Sequence, residues 1–326
     1  MGPFWNAGNA IINQTSLKKG AHMIYLDNFI FAGEDKENKF LYPKDLTPEE
    51  VSAEMYRDFS IRSFYDSTYP FDILTRHHLN RIDCSEITIL YGGNGSGKTT
   101  ALNIIAEKLS LNREAPFNKG EFYGKYLKLC RYNHNTYYEL KIPEDSQIIV
   151  SDDVFEYILK CRDHNDHRLD KKLALMENWE NLKYKQLSLF DDIEQLKDRR
   201  MSESKYVSKY LKEEEQRELS NGERGFQYFI SKLEKPCLYL LDEPENSLSL
   251  ERQIELADYI MSSARFFESQ FIIATHSPVF LSMKGAKIYD LDADPVDIKP
   301  WTELTGMREW FNFFMKHREE FEADRE

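Results

Sequence analysis

Ile87-Thr88-Ile89-Leu90-Tyr91-Gly92-Gly93-Asn94-Gly95-Ser96-Gly97-Lys98-Thr99-Thr100 passes from an apolar, β-prone run through a glycine-rich loop toward a helix. The five residues before Gly92 read as a buried strand. Behind the loop, Ala101, Leu102, Ile104, Ile105 and Leu109 fall on one face of a helical wheel. In that setting the GxxxxGK[ST] pattern of residues 92–99 reads as a phosphate cradle. The glycines let successive main-chain N–H groups turn toward a phosphate, so Gly92, Gly93, Asn94, Gly95, Ser96, Gly97, Lys98, Thr99 and Thr100 are the expected binding residues. The helix start adds its positive dipole end, Lys98 reaches the β and γ phosphates, and the Thr99 hydroxyl can ligate Mg²⁺. Such a loop implies a nucleotide without saying which one.

Downstream, Leu238-Tyr239-Leu240-Leu241-Asp242-Glu243 reads as a buried strand that ends in two adjacent carboxylates. Neighbouring side chains on a strand point to opposite faces, so the two are expected to divide the work. One fits the Mg²⁺ shell, and the other fits positioning or deprotonating an attacking water.

Outward from these two points the chain alternates strands and helices. Phe271-Ile272-Ile273-Ala274 and Ile288-Tyr289-Asp290-Leu291 read as strands, with a helix from about Leu250 to Phe267 before them. That alternation predicts a parallel sheet covered on both sides. Ile24-Tyr25-Leu26 and Phe29-Ile30-Phe31 read as early antiparallel strands, and Thr47 as the cap of a short helix. Residues 151–218 turn lysine- and glutamate-rich, with Trp179, Leu182, Leu189, Ile193 and Leu196 at helical spacing, which predicts a helical insertion too short for a long coiled coil. Gly20-Ala21-His22-Met23 reads as a tag joined to a start at Met23, so residues 1–22 are expected to be a tag or disordered extension and 23–326 a single domain.

Composition narrows the function classes. With 41% hydrophobic and 30% charged residues the chain can bury a real core, which excludes collagen-like and disulfide-stapled classes. It contains no run of the roughly 18–20 apolar residues that a bilayer span needs, and no secretory signal. Cys84, Cys130, Cys161 and Cys237 are scattered without CxxC pairing, as in a reducing compartment, and two are expected simply to fill core. A cytoplasmic protein is expected. A net charge of −13 argues against a surface that grips polyphosphate everywhere and leaves room for a local basic groove.

Leu219-Ser220-Asn221-Gly222-Glu223 resembles the LSGGQ signature of ABC-type ATPases, in its usual place ahead of the carboxylate strand. Asp242-Glu243-Pro244-Glu245-Asn246-Ser247-Leu248-Ser249 and Ala274-Thr275-His276-Ser277-Pro278 resemble the corresponding segments of stand-alone AAA/ABC-type ATPases, relatives of the chromosome-maintenance and overcoming-lysogenization-defect ATPases. The match runs in motif order from about Ile87 to Leu291. It implies an α/β P-loop NTPase fold with a mostly parallel, ABC-ATPase-like sheet, an antiparallel β subdomain and a helical insertion. It further implies that Asp242 holds Mg²⁺ with Thr99, that Glu243 is the general base, and that His276 senses the γ-phosphate beside Lys98. Ser220 and Gly222 would act in trans on the ATP of a second subunit, so that two ATPs close a homodimer.

The chain departs from that family's pattern at several places. Asn221 stands for the signature's first glycine, Glu223 for its glutamine, and Ser249 for an aspartate common in transporter subunits. No glutamine-loop residue stands out: Gln147 precedes the strand Ile148-Ile149-Val150, and Asp152 and Asp153 lie better placed to face a metal. Tyr65, Tyr69 and Phe71 are candidates for adenine stacking by position only.

Two further patterns need weighing. Cys161, His164 and His167 recur every three residues, but on a helix the third lies about 240° from the first, which speaks against a shared metal. The tail Met307-Arg308-Glu309-Trp310-Phe311-Asn312-Phe313-Phe314, within an expected helix over about 306–322, reads first as a stripe docked on the ATPase and second as a partner-binding helix. The resulting expectation is a Mg²⁺-dependent, ATP-hydrolysing sandwich dimer with a nucleic-acid-linked or defence-related regulatory role and an effector protein as a further partner. A transporter's nucleotide-binding subunit and a nonhydrolytic ATP-controlled scaffold are the alternatives.

Overall fold

A computed structural model describes residues 24–41, 67–135, 141–184, 193–212 and 220–322. The expected cap at Thr47, the stacking candidate Tyr65, Leu189 of the insertion, Leu219 of the signature and the extension over 1–22 lie outside the described residues. The strands are β1 (Leu26–Ile30), β2 (Arg81–Asp83), β3 (Ile87–Tyr91), β4 (Arg131–His134), β5 (Gln147–Val150), β6 (Leu238–Asp242), β7 (Gln270–Ala274), β8 (Lys287–Asp290) and β9 (Asp297–Ile298). The helices are α1 (Glu34–Leu41), α2 (Lys98–Lys108), α3 (Tyr123–Leu129), α4 (Ser151–Tyr184), α5 (Ile193–Arg199), α6 (Glu203–Tyr210), α7 (Asn221–Lys232), α8 (Leu250–Phe266), α9 (Pro278–Leu281), α10 (Thr305–Lys316) and α11 (Arg318–Glu322).

Six strands form one sheet in the order β5-β6-β7-β3-β8-β9, parallel except for the β8–β9 pair. Strands β3, β6 and β7 are buried along their whole length, which is why they read as unbroken apolar runs instead of alternating ones. One face of the sheet packs against α2 and the antiparallel sheet β2-β1-β4, and the other against α7 and α8. The protein is therefore a mixed α/β fold with a parallel and an antiparallel sheet.

A buried amide side chain helps to join the two sheets. Gln270, fully buried at the start of β7, accepts the N–H groups of Tyr25 and Leu26 at Oε1, each at 2.9 Å. Its Nε2 donates to the carbonyls of Leu26 (2.9 Å) and Ser85 (3.1 Å), so a buried amide is fully satisfied.

The two early strand pieces are one strand. Asp27 and Asn28 do not break it, because Asp27 faces solvent and buried Asn28 accepts Asn133 Nδ2 across the pair with β4. Helix α2 is buried nearly all round from Ala101 to Ala106 instead of on one face. Within the stretch expected as an insertion, α4 runs 34 residues but leaves the core after Cys161, and Trp179 Nε1 donates to the Met201 carbonyl near its far end. Cys161, His164 and His167 share α4, with Cys161 buried and His167 exposed. All four cysteines are buried.

The C-terminal stripe differs from the first expectation. Leu304 and Met307 pack on the core, and a Cβ on Gly306 would lie 2.5 Å from Tyr91 Oη, so the start of α10 is fastened to the end of β3. Beyond it Trp310, Phe313 and Phe314 are 51%, 52% and 50% exposed and pack mainly on one another. Met307 is the buried residue of α10, and after this first turn the aromatic side chains meet one another instead of the described core. No described helix is long and apolar enough to cross a membrane.

Candidate functional site

Parallel pairing puts three chain reversals at one sheet edge. Leu90 of β3 and Asp242 of β6 both pair with Ala274 of β7, so the three strands end level. The glycine-rich loop, the two carboxylates and His276 leave the sheet side by side, at the carboxyl edge where open α/β sheets hold ligands.

The loop is shaped by its glycines. Gly97, at φ 91°, caps α2 in the left-handed region, and a Cβ there would lie 2.9 Å from Leu74 Cδ2, so both backbone and space require glycine. Lys98 is buried and donates from Nζ to the carbonyls of Gly92 (2.7 Å) and Gly93 (3.0 Å), curling back over the loop. Thr99 Oγ1 donates to Asp242 Oδ1 at 3.2 Å. A cavity of about 410 Å³ opens here, lined by Asn94, Gly95, Ser96, Gly97, Lys98, Thr99, Thr100 and Glu243, with Ile73, Arg76 and His77 along another side.

The carboxylates are arranged differently from a regular strand. Asp242 ends β6, but Glu243 takes φ 48° and ψ 55°, a left-handed conformation that costs a non-glycine residue energy and marks functional sites. The turn interrupts strand alternation and brings Glu243 Oε1 to 3.8 Å from Lys98 Nζ and 3.9 Å from His276 Nδ1. Asn246 Nδ2 holds Glu243 Oε2 at 2.9 Å. Burial pushes the Asp242 carboxyl up to about 6, the Thr99 hydroxyl opposing and the charge of Glu243 adding to it.

The signature lies elsewhere on the surface. Ser220 caps α7: its Oγ accepts Glu223 N (3.3 Å), while Glu223 Oε2 accepts Ser220 N (2.8 Å) and Ser220 Oγ (2.9 Å). Glu223, where the signature carries glutamine, is the third residue of this capping box. Gly222 packs on Ser249, with a built Cβ 3.4 Å from its N, and Arg162 Nη2 donates to Asn221 Oδ1 at 2.7 Å. Ser220 and Gly222 do not line the cavity of their own chain.

Several expected residues are committed elsewhere. Asp153 does not face a metal: both its oxygens are taken by main-chain N–H groups, of Ala115 at 2.7 Å and Val150 at 2.8 Å, and burial raises its carboxyl. Gln147 donates to the Lys232 carbonyl. Phe71 is buried and stacked on Phe40, and Tyr69 lies against Tyr123, so neither ring lines the cavity. In their place stand Arg76 and His77, which carry no motif. Asp292 is another residue missed: its two oxygens take the N–H of Gly93 at 3.0 and 2.8 Å and pin the loop's first turn. Only the short polar loop after Leu291 hinted at it.

Residues 129–282 match the family model described as "AAA domain, putative AbiEii toxin, Type IV TA system". That span begins after the glycine-rich loop and includes residues 220–223, the carboxylate strand and His276. No functionally curated protein matches the sequence. Among solved structures, the chain is similar to an SMC head bound to the C-winged helix domain of ScpA, at 18% identity over 67% of this chain and 92% of that one, with a TM-score of 0.36. It is similar at 16% identity to an inward-facing conformation of "a putative metal-chelate type ABC transporter", over 69% and 76% of the two chains, with a TM-score of 0.34. The SMC head domain from Thermotoga maritima is similar at 14% identity over 68% and 92%, with a TM-score of 0.33. The family model covers a little under half of the chain, so the chain is similar to that AAA family over residues 129–282, and the glycine-rich loop, the carboxylate strand and His276 stand together at one sheet edge.

Proposed function

We propose that the protein binds Mg-ATP and hydrolyses it, with two copies closing around two ATPs, and that this cycle serves a regulatory role in defence or nucleic-acid maintenance. The observation that carries the proposal is that Lys98, Thr99 and Glu243 line one cavity at the end of three level strands, with Asp242 bonded to Thr99 and His276 beside Glu243. The loop N–H groups and Lys98 would take the phosphates, with Lys98 exchanging its bonds to the loop carbonyls for phosphate oxygens. Arg76 and His77 line the side of the cavity left for the base and sugar.

The donor set fits Mg²⁺. Thr99 Oγ1 and Asp242 Oδ1 are hard oxygens already side by side, and a buried carboxyl raised to about 6 is one that a cation would ionise. The ion would supply charge neutralisation at the terminal phosphates. Glu243 Oε1 would accept the proton of the attacking water, with Asn246 fixing its other oxygen and Lys98 beside it. His276, exposed at the rim, would donate to the γ-phosphate.

The dimer reading rests on exposure. Ser220, Asn221 and the loop residues Gly93, Asn94 and Gly95 all face solvent, which leaves the N-terminus of α7 free to meet a second copy's nucleotide. The defence-related part rests on the toxin named in the family description. The test is multiple-turnover phosphate release by the wild type and by Lys98→Ala, with the mass of Glu243→Gln measured in Mg-ATP and in Mg-ADP. Turnover lost in Lys98→Ala, together with a dimer formed only in ATP, is expected. A monomer in both nucleotides would overturn the sandwich, and turnover surviving in Lys98→Ala would overturn the site.

A further inference from the structure

Glu245 lies two residues beyond the proposed base and is only 7% exposed. Its Oε1 accepts the Thr275 hydroxyl at 2.6 Å and the His276 main-chain N–H at 2.9 Å, and lies 3.4 Å from His276 Nδ1. Its Oε2 is buried with no hydrogen-bond partner among the described residues. A carboxylate serving only as a loop staple would need no charge, because a neutral acceptor would hold the same two donors. Keeping an ionisable group there with one oxygen unpaired carries a desolvation cost that packing alone does not explain.

The arrangement also decides how the imidazole is presented. Nδ1 faces carboxylates on both sides, Glu245 at 3.4 Å and Glu243 at 3.9 Å, so Nε2 is the ring atom left for the nucleotide side. Which ring nitrogen carries the proton is set by the partner of the other one. The same loop is tied further back: Ser277 Oγ donates to Gln253 Oε1 at 2.8 Å, and Gln253 Nε2 donates to the Leu248 carbonyl at 3.1 Å. The histidine loop is thus joined to the segment that packs on the signature helix.

We propose that Glu245 is the positioning residue of His276, its carboxylate fixing the main chain of the loop and holding a proton on Nδ1, so that the ring, on taking a second proton at Nε2 beside the nucleotide, donates from Nε2–H to the terminal phosphate. This rests on the reading of His276 as the residue that meets the γ-phosphate. Glu245→Gln retains an acceptor for Thr275 and His276 while removing the charge, and Glu245→Asp retains the charge.

The experiment has two arms. In ¹⁵N spectra of histidine-labelled protein, with His276 assigned by its loss in His276→Ala, the neutral ring is expected as the Nδ1–H tautomer in the wild type and shifted toward Nε2–H in Glu245→Gln. An Nε2–H ring in the wild type would overturn the proposal. In steady-state turnover, Glu245→Gln is expected to lower kcat about tenfold or more with KM for ATP changed less than twofold, Glu245→Asp to recover part of it, and Glu245→Gln to add nothing in a His276→Ala background. Equal losses in both backgrounds would overturn the proposal even if the protein melts normally. A wild type without turnover would count against the ATPase reading, and the spectra would still decide the role of Glu245.

Discussion

Thr99 Oγ1 and Asp242 Oδ1, 143 residues apart in the chain, meet at 3.2 Å because α2 begins where β3 ends and β6 ends level with it across β7. Removing either oxygen should weaken the cation and not the nucleotide's phosphates. Thr99→Ala is expected to keep ATP binding in EDTA within a fewfold and to lose most of the added affinity Mg²⁺ confers, as titration calorimetry with and without Mg²⁺ would report. Equal Mg²⁺ dependence in variant and wild type would remove Thr99 from the metal shell.

Asp242 predicts a pH dependence of its own. Its folded carboxyl is raised from 3.8 to about 6 chiefly by burial, so its contribution to stability is fully present below the unfolded value and lost as pH rises through the folded one. Without Mg²⁺, Asp242→Asn should therefore gain on the wild type between about pH 4 and 6, by on the order of 2–3 kcal/mol, and stay level above. Denaturant melts of both proteins in EDTA across that range check it, and a constant difference would contradict it.

Glu243 takes its place at the cavity through a left-handed turn that any residue at that position must share. Glu243→Gln keeps the shape and the Asn246 contact while removing the basic oxygen. Phosphate release is expected to fall about 100-fold or more, with ATP affinity kept within a fewfold. Full activity in the variant would move the base elsewhere.

Gly222 and Gly225 lie one turn apart on α7 and should behave in opposite ways. A Cβ on Gly225 would meet Ser247 O at 3.1 Å and Leu248 and Val154 at 3.2 Å, whereas on Gly222 the nearest atom is 3.4 Å away. Gly225→Ala is expected to cost about 1–3 kcal/mol and lower the melting temperature. Gly222→Ala should melt like the wild type yet impair ATP-driven dimerisation in sedimentation, and an impairment equal in both nucleotides would count against its place at the interface.

Ser220 separates a local role from a shared one. Loss of its cap in Ser220→Ala should cost only about 1 kcal/mol of stability. A much larger loss of turnover, about tenfold or more, is expected if its hydroxyl completes the second copy's site. Loss confined to stability would leave the serine a cap and nothing else.

Much of this architecture was legible in the chain because it depends on short-range chemistry. The glycine-rich loop shows its glycines and lysine at one spacing, and strands β3, β6 and β7 are apolar throughout because both faces are covered. Asp242 follows from a strand end, while the capping role of Ser220 emerged only in the structure. The rest depended on contacts between distant segments, which no local pattern encodes. Strand alternation predicted opposite faces for Asp242 and Glu243, but the left-handed turn at Glu243 set that rule aside. Asp153 has the residue type and position of a metal ligand, and its oxygens go to two main-chain N–H groups instead. Arg76, His77, Asp292 and Glu245 reach the site only because separate loops are brought to the same sheet edge. Likewise the aromatic run after Met307 looks like core in one dimension and stands exposed in three, since after a single docked turn the aromatic side chains of α10 meet one another instead of the described core. Sequence determined which elements form and which chemistry they carry. Tertiary structure decided which polar groups find partners, because burial and parallel register act across segments that share no local pattern.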